Sequence, residues 1–288
     1  MKLILSRKGF DSSTGKVPSP IFPDGTMLSI PIPDKYSNIA YNDIMGLDGR
    51  PIGDLVEKLT KGKIPRHYKA HLDPDLRKDS LKKRKKGWRP IFGQTGGAQG
   101  HLENHKIAPG DLFLFFGRFR QLEKIDGELQ YKTDAKVLHV IFGWLQIGKV
   151  VPVKNIDQAQ LKWARYHPHF ARKMKSNNTV YIASNRLNIP NSPRLNLNGG
   201  GAFTKFLPEL QLTAPGSKGC SLWKLPKWFF PSRRNSSLSF HNNKTKWKKK
   251  KDCVYLQTVA RGQEFILDCQ DYPEALKWIG HLIAKSKD

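Results

Sequence analysis

Apolar positions along the chain occur mostly in short runs and alternations, a pattern that predicts a β-rich structure with few helices. The run Met1–Arg7 is apolar and is followed by Gly9, so it predicts a short buried strand. The strongest β signals are the aromatic segment Asp111–Phe119 and the long segment Val137–Val153, which a polar turn separates. We expect these two segments to pair and to form the centre of a sheet.

Turn residues next to these segments, and glycines inside them, predict that the sheet is strongly bent. Pro109, Gly110 and Asp111 form a tight turn, and Gly143 and Gly148 predict bulges or corners in the second segment. This combination resembles the small β-barrels of the PUA, ASCH and EVE type, which often read modified or flipped bases. The predicted fold class is therefore α+β, with a mixed or antiparallel sheet, a PUA-like barrel element and a few peripheral helices.

Three shorter segments also have the composition of strands. Val180–Ala183 is one, and Cys253–Val259 and Glu264–Asp268 predict a hairpin that turns at Arg261 and Gly262.

Helical spacing is found in three places. Gly53–Lys61, Asn155–Tyr166 and Tyr272–Lys285 each place apolar residues near one face. Gly93–Gly100 is so rich in glycine that we expect a flexible connector there.

The predicted organisation is one α+β domain over residues 1–240, whose β-rich part covers about residues 107–184. Residues 241–288 then add a basic run, a hairpin and a helix that pack on the same body.

Charge changes this picture more than any other property of the composition. The 288 residues carry 50 Lys and Arg against 24 Asp and Glu, a formal charge of +26. Two dense basic runs, Arg77–Arg89 and Lys244–Lys251, each contain one tryptophan. A field of this sign attracts polyanions, and an indole among cations suits phosphate contact combined with base stacking. The alternative is a pair of solvated surface loops.

The residues predicted to contact nucleic acid come from these two runs. They are Lys82, Lys83, Arg84, Lys85, Lys86, Trp88, Arg89, Trp247, Lys248, Lys249, Lys250 and Lys251.

Several classes of protein are not expected from the composition. No apolar stretch approaches the about 18 residues that a membrane span needs, and Met1–Leu5 is too short for a signal peptide, so a cytoplasmic location is expected. Cys220, Cys253 and Cys269 form no CxxC pair, which argues against a zinc ribbon and favours free thiols.

The segment after the first predicted strand combines cations, a glycine and hydroxyl groups. Such a segment can hold a phosphate at the end of a strand, and the residues concerned are Arg7, Lys8, Gly9, Ser12 and Ser13. Asp11 in the same segment is a candidate for proton transfer. The alternative is an ordinary loop with an Asx turn at Asp11. Neither a Walker nor a GxGxxG spacing is present, which argues against a nucleoside-triphosphate fold.

Histidines and carboxylates supply the remaining candidate chemistry. Two histidine pairs have a spacing of four, His67 with His71 and His101 with His105, but neither has the HExxH arrangement. His167 and His169 flank Pro168 and could contact phosphate or carry protons, although a structural role is the alternative. Asp73 and Asp75 flank Pro74, so we expect their side chains to diverge. The spacing of these residues predicts no metal site.

Several stretches of the chain together resemble one family, the nucleotide modification associated domain family of the third type. They include LSRKGFDSSTGKVPSP near the start, GQTGGAQGHLENHKIAPGDLF in the middle and WARYHPHF further on, and the resemblance covers most of residues 1 to about 240. It implies an association with modified DNA or nucleotides, and it brings neither an agreed mechanism nor a cofactor. The positions that match the family pattern are Arg7, Lys8, Gly9, Phe10, Asp11, Ser12, Pro18, Pro20, Asp24, His101, Asp111, Trp144, His167 and His169.

The first hypothesis is a modification-associated protein that binds nucleic acid, DNA in preference to RNA, or a nucleotide, and acts on a base. Asp11, His167 and His169 are the first candidates for proton transfer, and Trp144 or Trp163 would offer a stacking surface. Two alternatives stay open, a non-catalytic reader of modified bases and a basic RNA-associated protein. The sequence assigns neither a reaction type nor an oligomeric state.

Overall fold

The computed structural model describes most of the chain and shows a mixed α+β structure, mostly sheet with few helices. The described residues are 1–11, 14–155, 161–171, 175–191, 195–231, 237–259 and 262–287. The strands are β1 (Lys2–Arg7), β2 (Ser19–Ile21), β3 (Ile91–Gln94), β4 (Leu112–Ile125), β5 (Glu128–Tyr131), β6 (Leu138–Pro152), β7 (Thr179–Ala183), β8 (Gly200–Ala202), β9 (Leu222–Pro226), β10 (Trp247–Lys249), β11 (Cys253–Gln257) and β12 (Glu264–Asp268).

The helices are short and lie around the sheets. The α-helices are α1 (Gly53–Leu59), α2 (Gly96–Asn104), α3 (Pro168–Ala171) and α4 (Glu274–Ala284). Single 3₁₀ turns cover Tyr41–Asp43, Lys78–Ser80, Val153–Asn155, Lys162–Ala164, Pro208–Leu210, Lys227–Phe229, Lys244–Lys246 and Lys285–Lys287. None of the helices in the described part of the chain has the length and apolar character needed to cross a bilayer.

The main sheet has nine strands, and its longest path runs β12-β1-β4-β6-β7-β3. β1 pairs parallel to β4, and β2 does so further along β4, whereas the other pairs are antiparallel. A second sheet of three strands has the order β10-β11-β9. The predicted strand at the start of the chain and the predicted pairing of the two long segments are both confirmed.

Aromatic contacts show that the main sheet curls around its own core. Phe92 on β3 lies 5.0 Å from Phe113 and 5.2 Å from Phe115, ring centroid to ring centroid, and both of these residues are on β4. β6 and β7 separate these strands in the sheet, so only strong curvature brings their side chains together. In the described residues β3 and β12 do not pair with each other, and the sheet is not a closed barrel. The PUA-like barrel element therefore stays a prediction.

Bulges at two glycines produce part of this curvature, as the sequence predicts. The β4–β6 register shifts at Phe115, opposite Gly143, and the β6–β7 register shifts around Gly148. A Cβ atom at Gly143 would lie 2.4 Å from Leu76 Cδ1, and one at Gly148 would lie 2.7 Å from the Cα of Ser184. Other segments of the protein thus lie too close to the strand for Gly143 or Gly148 to carry a side chain.

Two predictions about local structure are wrong. Gly93–Gly100 is not a flexible connector, because it contains the end of β3 and the first half of α2. The predicted C-terminal hairpin does not form either, since β11 pairs with β9 and β10 whereas β12 pairs with β1. In both cases contacts with distant parts of the chain override the local signal.

The other helix predictions have different outcomes. α1 and α4 confirm two of them, and α4 buries the apolar face expected for it: Ala275, Leu276, Ile279, Leu282 and Ile283. The helix predicted over Asn155–Tyr166 falls partly on residues 156–160, which lie outside the described residues, and its described flanks contain 3₁₀ turns.

A buried ion pair fixes the first basic run to the body of the protein. Asp75 is fully buried, and its two oxygens accept hydrogen bonds from Arg84 Nη1 at 2.6 Å and Arg84 Nη2 at 2.8 Å. Tyr166 and Trp88 also donate to this carboxylate. The Arg84 guanidinium lies over the Trp88 ring, 4.7 Å from its centroid. The carboxylate therefore has a charged partner and further donors, which a buried charge requires.

We predict that Asp75→Asn lowers the free energy of unfolding by about 3–5 kcal/mol, because it leaves the buried Arg84 cation without its counter-charge. Chemical denaturation followed by tryptophan fluorescence measures the change. Asp79→Asn is the matched control, since Asp79 pairs with Arg77 at an exposed position and its loss should cost less than about 1 kcal/mol. Equal effects of the two substitutions would contradict the structural role of Asp75.

Candidate functional site

The two edge strands of the main sheet, β3 and β12, meet through side chains. Glu264 at the start of β12 accepts hydrogen bonds at Oε1 from Lys8 Nζ at 2.8 Å and from Gln94 Nε2 at 2.6 Å. Lys8 follows β1 and its Nζ also lies 4.8 Å from the centre of the Phe92 ring. These contacts join the end of β1, the end of β3 and the start of β12 at one point, which we call the seam.

A cavity of about 530 Å³ lies at the seam. Its lining residues are Gln94, Thr95, Gly97, Ala98, His101, Phe240, Gly262, Gln263 and Glu264. The Glu264 side chain is 1% exposed, and its Oε2 atom has no hydrogen-bond partner among the described residues. An unsatisfied buried acceptor is unusual in a folded protein, because leaving it unpaired costs about 1–3 kcal/mol. The described residues therefore leave one buried acceptor unpaired beside the seam cavity.

Aromatic groups line another part of the same cavity. Phe240 is 50% exposed, and the His101 ring stacks on it at 4.3 Å between centroids. Burial, and secondarily the neighbouring His105, lower the pKa of His101 below its ordinary value, which favours a neutral imidazole. Thr95 Oγ1 is also buried and has no partner in the part of the chain that the structure describes. The lining thus combines a carboxylate oxygen, a hydroxyl group, an aromatic face and a neutral histidine.

The predicted phosphate-binding segment lies beside this cavity. Lys8 forms the ion pair with Glu264, and Arg7 donates to the carbonyl of Gly262, which lines the cavity, at 3.2 Å. Gly9 has a φ of 82°, where the backbone favours glycine. Ser12 and Ser13 lie outside the described residues.

Asp11 and Trp144 take part in local structure. The Asp11 carboxylate accepts a hydrogen bond from the backbone N–H of Thr14 at 2.6 Å, a contact within its own loop. Trp144 is 4% exposed and packs on Phe203, with a centroid distance of 5.1 Å. A Cβ atom at Gly201 would lie 2.6 Å from the Trp144 ring, so the indole is enclosed by the core.

His167 and His169 are brought together, and they meet at Asp73. His167 Nε2 lies 3.2 Å from Asp73 Oδ1, and His169 Nε2 lies 3.5 Å from Oδ2 of the same carboxylate. His71 joins them, with its Nε2 atom 3.7 Å from Oδ2. The ligand atoms of His71, Asp73 and His169 lie within 4.8 Å of one another, an arrangement able to hold a metal ion.

We call His71, Asp73, His167 and His169 the histidine cluster. The sequence did not predict it, because residues 71–73 and 167–169 are far apart in the chain and neither segment matches a familiar metal-binding spacing. The Asp73 and Asp75 side chains do diverge as expected, one toward the histidines and the other toward Arg84.

Charges within the cluster shift its pKa values strongly. Burial lowers the pKa of His71, but its hydrogen bond to Asp34 and the nearby Asp73 carboxylate outweigh burial and raise the pKa to about 9. Burial raises the pKa of Asp73, yet the hydrogen bond and charge of His167, together with the nearby His169 and His71, hold it well below its usual range. The pKa of His167 is lowered because its complete burial outweighs the attraction of Asp73. The ionised form of the Asp73 carboxylate is therefore favoured, and it lies among three imidazoles.

The two basic runs present lysines to solvent, whereas Trp88 is half-buried and Trp247 is buried. The exposed cations among the predicted contact residues are Lys82, Lys83, Lys85, Lys86, Lys248, Lys249, Lys250 and Lys251. Trp88 donates to Asp75, and Trp247 donates to the carbonyl of His241 at 2.9 Å. Arg84 pairs with Asp75, as described above, and Arg89 donates to the carbonyl of Ala183.

Glu264 and Gln94 were not predicted from the sequence. The one signal for Glu264 is a carboxylate at the start of an apolar strand, and its partners become apparent only in three dimensions.

Comparison with known proteins gives one result. No curated protein and no solved structure matches this chain. The family model for nucleotide modification associated domain 3 matches residues 2–268, which covers β1 to β12 and so both the seam and the histidine cluster. The match confirms the resemblance drawn from the sequence, and the chain belongs to the nucleotide modification associated domain 3 family.

Proposed function

We propose that this protein binds a nucleobase in the seam cavity, either of a free nucleotide or of a nucleotide turned out of a DNA strand. The observation that supports the proposal most directly is the unpaired, buried Oε2 atom of Glu264 beside the exposed ring of Phe240. Proteins that read extruded bases combine hydrogen bonds to the base edge with stacking on an aromatic side chain. The cavity volume lies in the range of about 300–1,000 Å³ that is usual for small-molecule sites.

The free carboxylate oxygen favours a base that carries an exocyclic amino group. A carboxylate accepts hydrogen bonds and has none to donate, and the amino groups of adenine, cytosine and guanine are donors. Lys8 and Gln94 already hold the other oxygen of Glu264, so the carboxylate is oriented before a ligand arrives. Preorganisation of this kind lowers the entropy lost on binding.

The exposed lysines of the two basic runs supply affinity for the phosphate backbone in this proposal. Contacts from lysine to phosphate carry no sequence information, but they raise the affinity for any nucleic acid. Base recognition at the seam and general attraction at the lysines are therefore separate contributions, which separate experiments can measure.

Recognition of a base, as in the reader hypothesis, is favoured over chemistry at this cavity. Asp11, His167 and His169 are the residues predicted for proton transfer, and none of them is among the lining residues of the seam cavity. His101 does line it, and its neutral imidazole can accept a hydrogen bond from a ligand or donate one to it.

We predict that dAMP, dCMP and dGMP bind about 10-fold more tightly than dTMP, since thymine offers the Glu264 oxygen only its ring N3–H and no exocyclic amino group. Phe240→Ala should weaken binding of all four by a factor that corresponds to about 1–3 kcal/mol of lost stacking. Titration calorimetry measures both effects. Because Phe240 is half-exposed, its removal should leave folding intact.

Tyr36→Ala is the matched control, since Tyr36 is another aromatic residue exposed to a similar degree and it does not line the cavity. Glu264→Gln should remove the preference for amino-bearing bases, with circular dichroism used to verify that the variant folds. Undiminished binding by Phe240→Ala, or equal affinity for all four nucleotides, would refute the proposal.

We predict that DNA binding depends strongly on salt and on the exposed lysines. If about six phosphates are neutralised, the logarithm of the binding constant falls against the logarithm of salt concentration with a slope of about −5. Substituting Lys82, Lys83, Lys85 and Lys86 by Gln should reduce the magnitude of that slope by up to about 4. Fluorescence anisotropy of labelled duplex and single-stranded DNA at several salt concentrations measures it.

The control replaces four exposed lysines outside the runs by Gln: Lys63, Lys124, Lys218 and Lys277. An equal loss in both variants would show that only net charge matters. Stronger binding to structured RNA than to DNA would favour the RNA-associated alternative instead.

A further inference from the structure

Three side chains of the histidine cluster point their free ligand atoms at one small volume. Asp73 Oδ2 lies 3.5 Å from His169 Nε2 and 3.7 Å from His71 Nε2. These distances are long for hydrogen bonds. They match the separation of two ligands on one metal ion, since atoms about 2.1 Å from a tetrahedral ion lie about 3.4 Å apart.

Both histidines are held with the correct ring nitrogen facing this volume. His71 Nδ1 lies 2.8 Å from Asp34 Oδ2, and His169 Nδ1 lies at hydrogen-bond distance from Asn178 Oδ1. The amide nitrogen of Asn178 donates to the carbonyl of His169 at 2.9 Å, which fixes the amide oxygen toward the ring. A neutral imidazole whose Nδ1–H donates to such an acceptor presents the Nε2 lone pair on its other side. Histidines that bind metals are usually oriented by such a partner.

The carboxylate of Asp73 is oriented in the same way. Its Oδ1 atom accepts a hydrogen bond from the backbone N–H of Gly93 at 2.9 Å and faces His167 Nε2 at 3.2 Å. Its Oδ2 atom is left facing the two Nε2 atoms of His71 and His169. Either a metal ion between these three atoms or a proton on one of the imidazoles offsets the charge of the carboxylate.

The backbone of β3 makes room for this arrangement. A Cβ atom at Gly93 would lie 2.3 Å from the His169 ring, so that any side chain there would displace the imidazole. The chain thus brings a backbone donor and a histidine ring to the carboxylate at the one position of β3 that has no side chain.

We propose that His71, Asp73 and His169 bind a divalent first-row transition metal ion, with Asp34, Asn178 and Gly93 orienting the ligands. Two imidazole nitrogens and one carboxylate oxygen suit Fe²⁺, Zn²⁺ or Co²⁺, whereas Mg²⁺ and Ca²⁺ prefer all-oxygen sites. Three protein ligands also leave room for a further ligand on the metal.

This centre is independent of the base-binding proposal. The backbone N–H of Gly93 donates to Asp73 in the histidine cluster, whereas the side chain of Gln94 donates to Glu264 at the seam. Successive residues of a strand face opposite sides of the sheet, so the two sites lie on opposite faces. The competing explanation is a metal-free cluster in which a proton on one histidine offsets the Asp73 charge.

The experiment uses untagged full-length protein, stripped with a chelator and then titrated with Zn²⁺ and Co²⁺ against a competing chelator. We expect one metal ion per chain by elemental analysis, a visible Co²⁺ spectrum typical of nitrogen and oxygen ligands, and a rise in melting temperature on reloading. Mg²⁺ and Ca²⁺ should not compete. Stripped wild-type protein that takes up no metal ion and shows no thermal shift would overturn the proposal in favour of the protonated cluster.

Variants locate the site. His71→Gln, Asp73→Asn and His169→Gln should each abolish stoichiometric binding, and Asp34→Asn should weaken it by about 10- to 100-fold because it removes an orienting partner. The matched control is the double variant His67→Ala, His281→Ala, which removes two exposed histidines and should bind as wild type does. Loss of binding in the control, or full binding in all three ligand variants, would also overturn it.

If a ligand variant does not fold, the stripping and reloading of the wild-type protein still decides the question. Nucleotide binding is measured on the stripped protein, so a failure of the metal proposal and a failure of the base-binding proposal are distinguishable.

Discussion

Buried negative charge is the constraint on which the arrangement of this protein depends. Asp73, Asp75 and Glu264 each place a carboxylate where water has little or no access. Such a group is tolerated only with a counter-charge and hydrogen-bond donors, because the cost of an isolated buried charge far exceeds the net stability of a domain. Histidines lie against Asp73, Arg84 forms an ion pair with Asp75, and Lys8 forms an ion pair with Glu264. Segments far apart in the chain are thereby forced to meet at three points.

The edge strand β3 connects two of these points. Its Gly93 donates a backbone N–H to Asp73, and the next residue, Gln94, donates its side chain to Glu264. Two adjacent loop residues also contact different sites. Asn178 donates to the carbonyl of His169, whereas Asn177 accepts a hydrogen bond from the backbone N–H of Gly96 at the start of α2. A short strand at the edge of the sheet thus sets the geometry of both the histidine cluster and the seam cavity, one on each of its faces.

Local signals in the sequence were sufficient for much of the sheet. β1, the two long strands β4 and β6, their bulges at Gly143 and Gly148, and the amphipathic helix α4 follow from apolar spacing and from glycine positions. These features depend on contacts within a segment or on a backbone requirement at one residue, which single-sequence patterns carry.

Long-range partners could not be predicted in the same way. Gly-rich α2 is a helix because Leu102 is buried in the core and Gln99 accepts a hydrogen bond from Tyr181, neither of which the local composition reveals. β12 pairs with β1, and His71 lies close to His169, only because long connections bring segments that are far apart in the sequence together. Lys8 was predicted from its position after β1, but its partner Glu264 was not. The two tryptophans of the basic runs were expected at the surface, whereas their indole N–H groups satisfy acceptors in the interior.

The contacts of Arg84 and Trp88 with Asp75 have a consequence for the conformational freedom of the first basic run. A lysine-rich loop anchored only at its ends samples many conformations and loses most of this conformational entropy when it binds a partner. This one is also pinned near its middle, where Arg84 and Trp88 hold Asp75, so the backbone on either side of Arg84 starts from a narrow set of positions. If this run binds DNA as proposed, its charges act as a fixed template whose spacing favours some groove widths of a duplex over others.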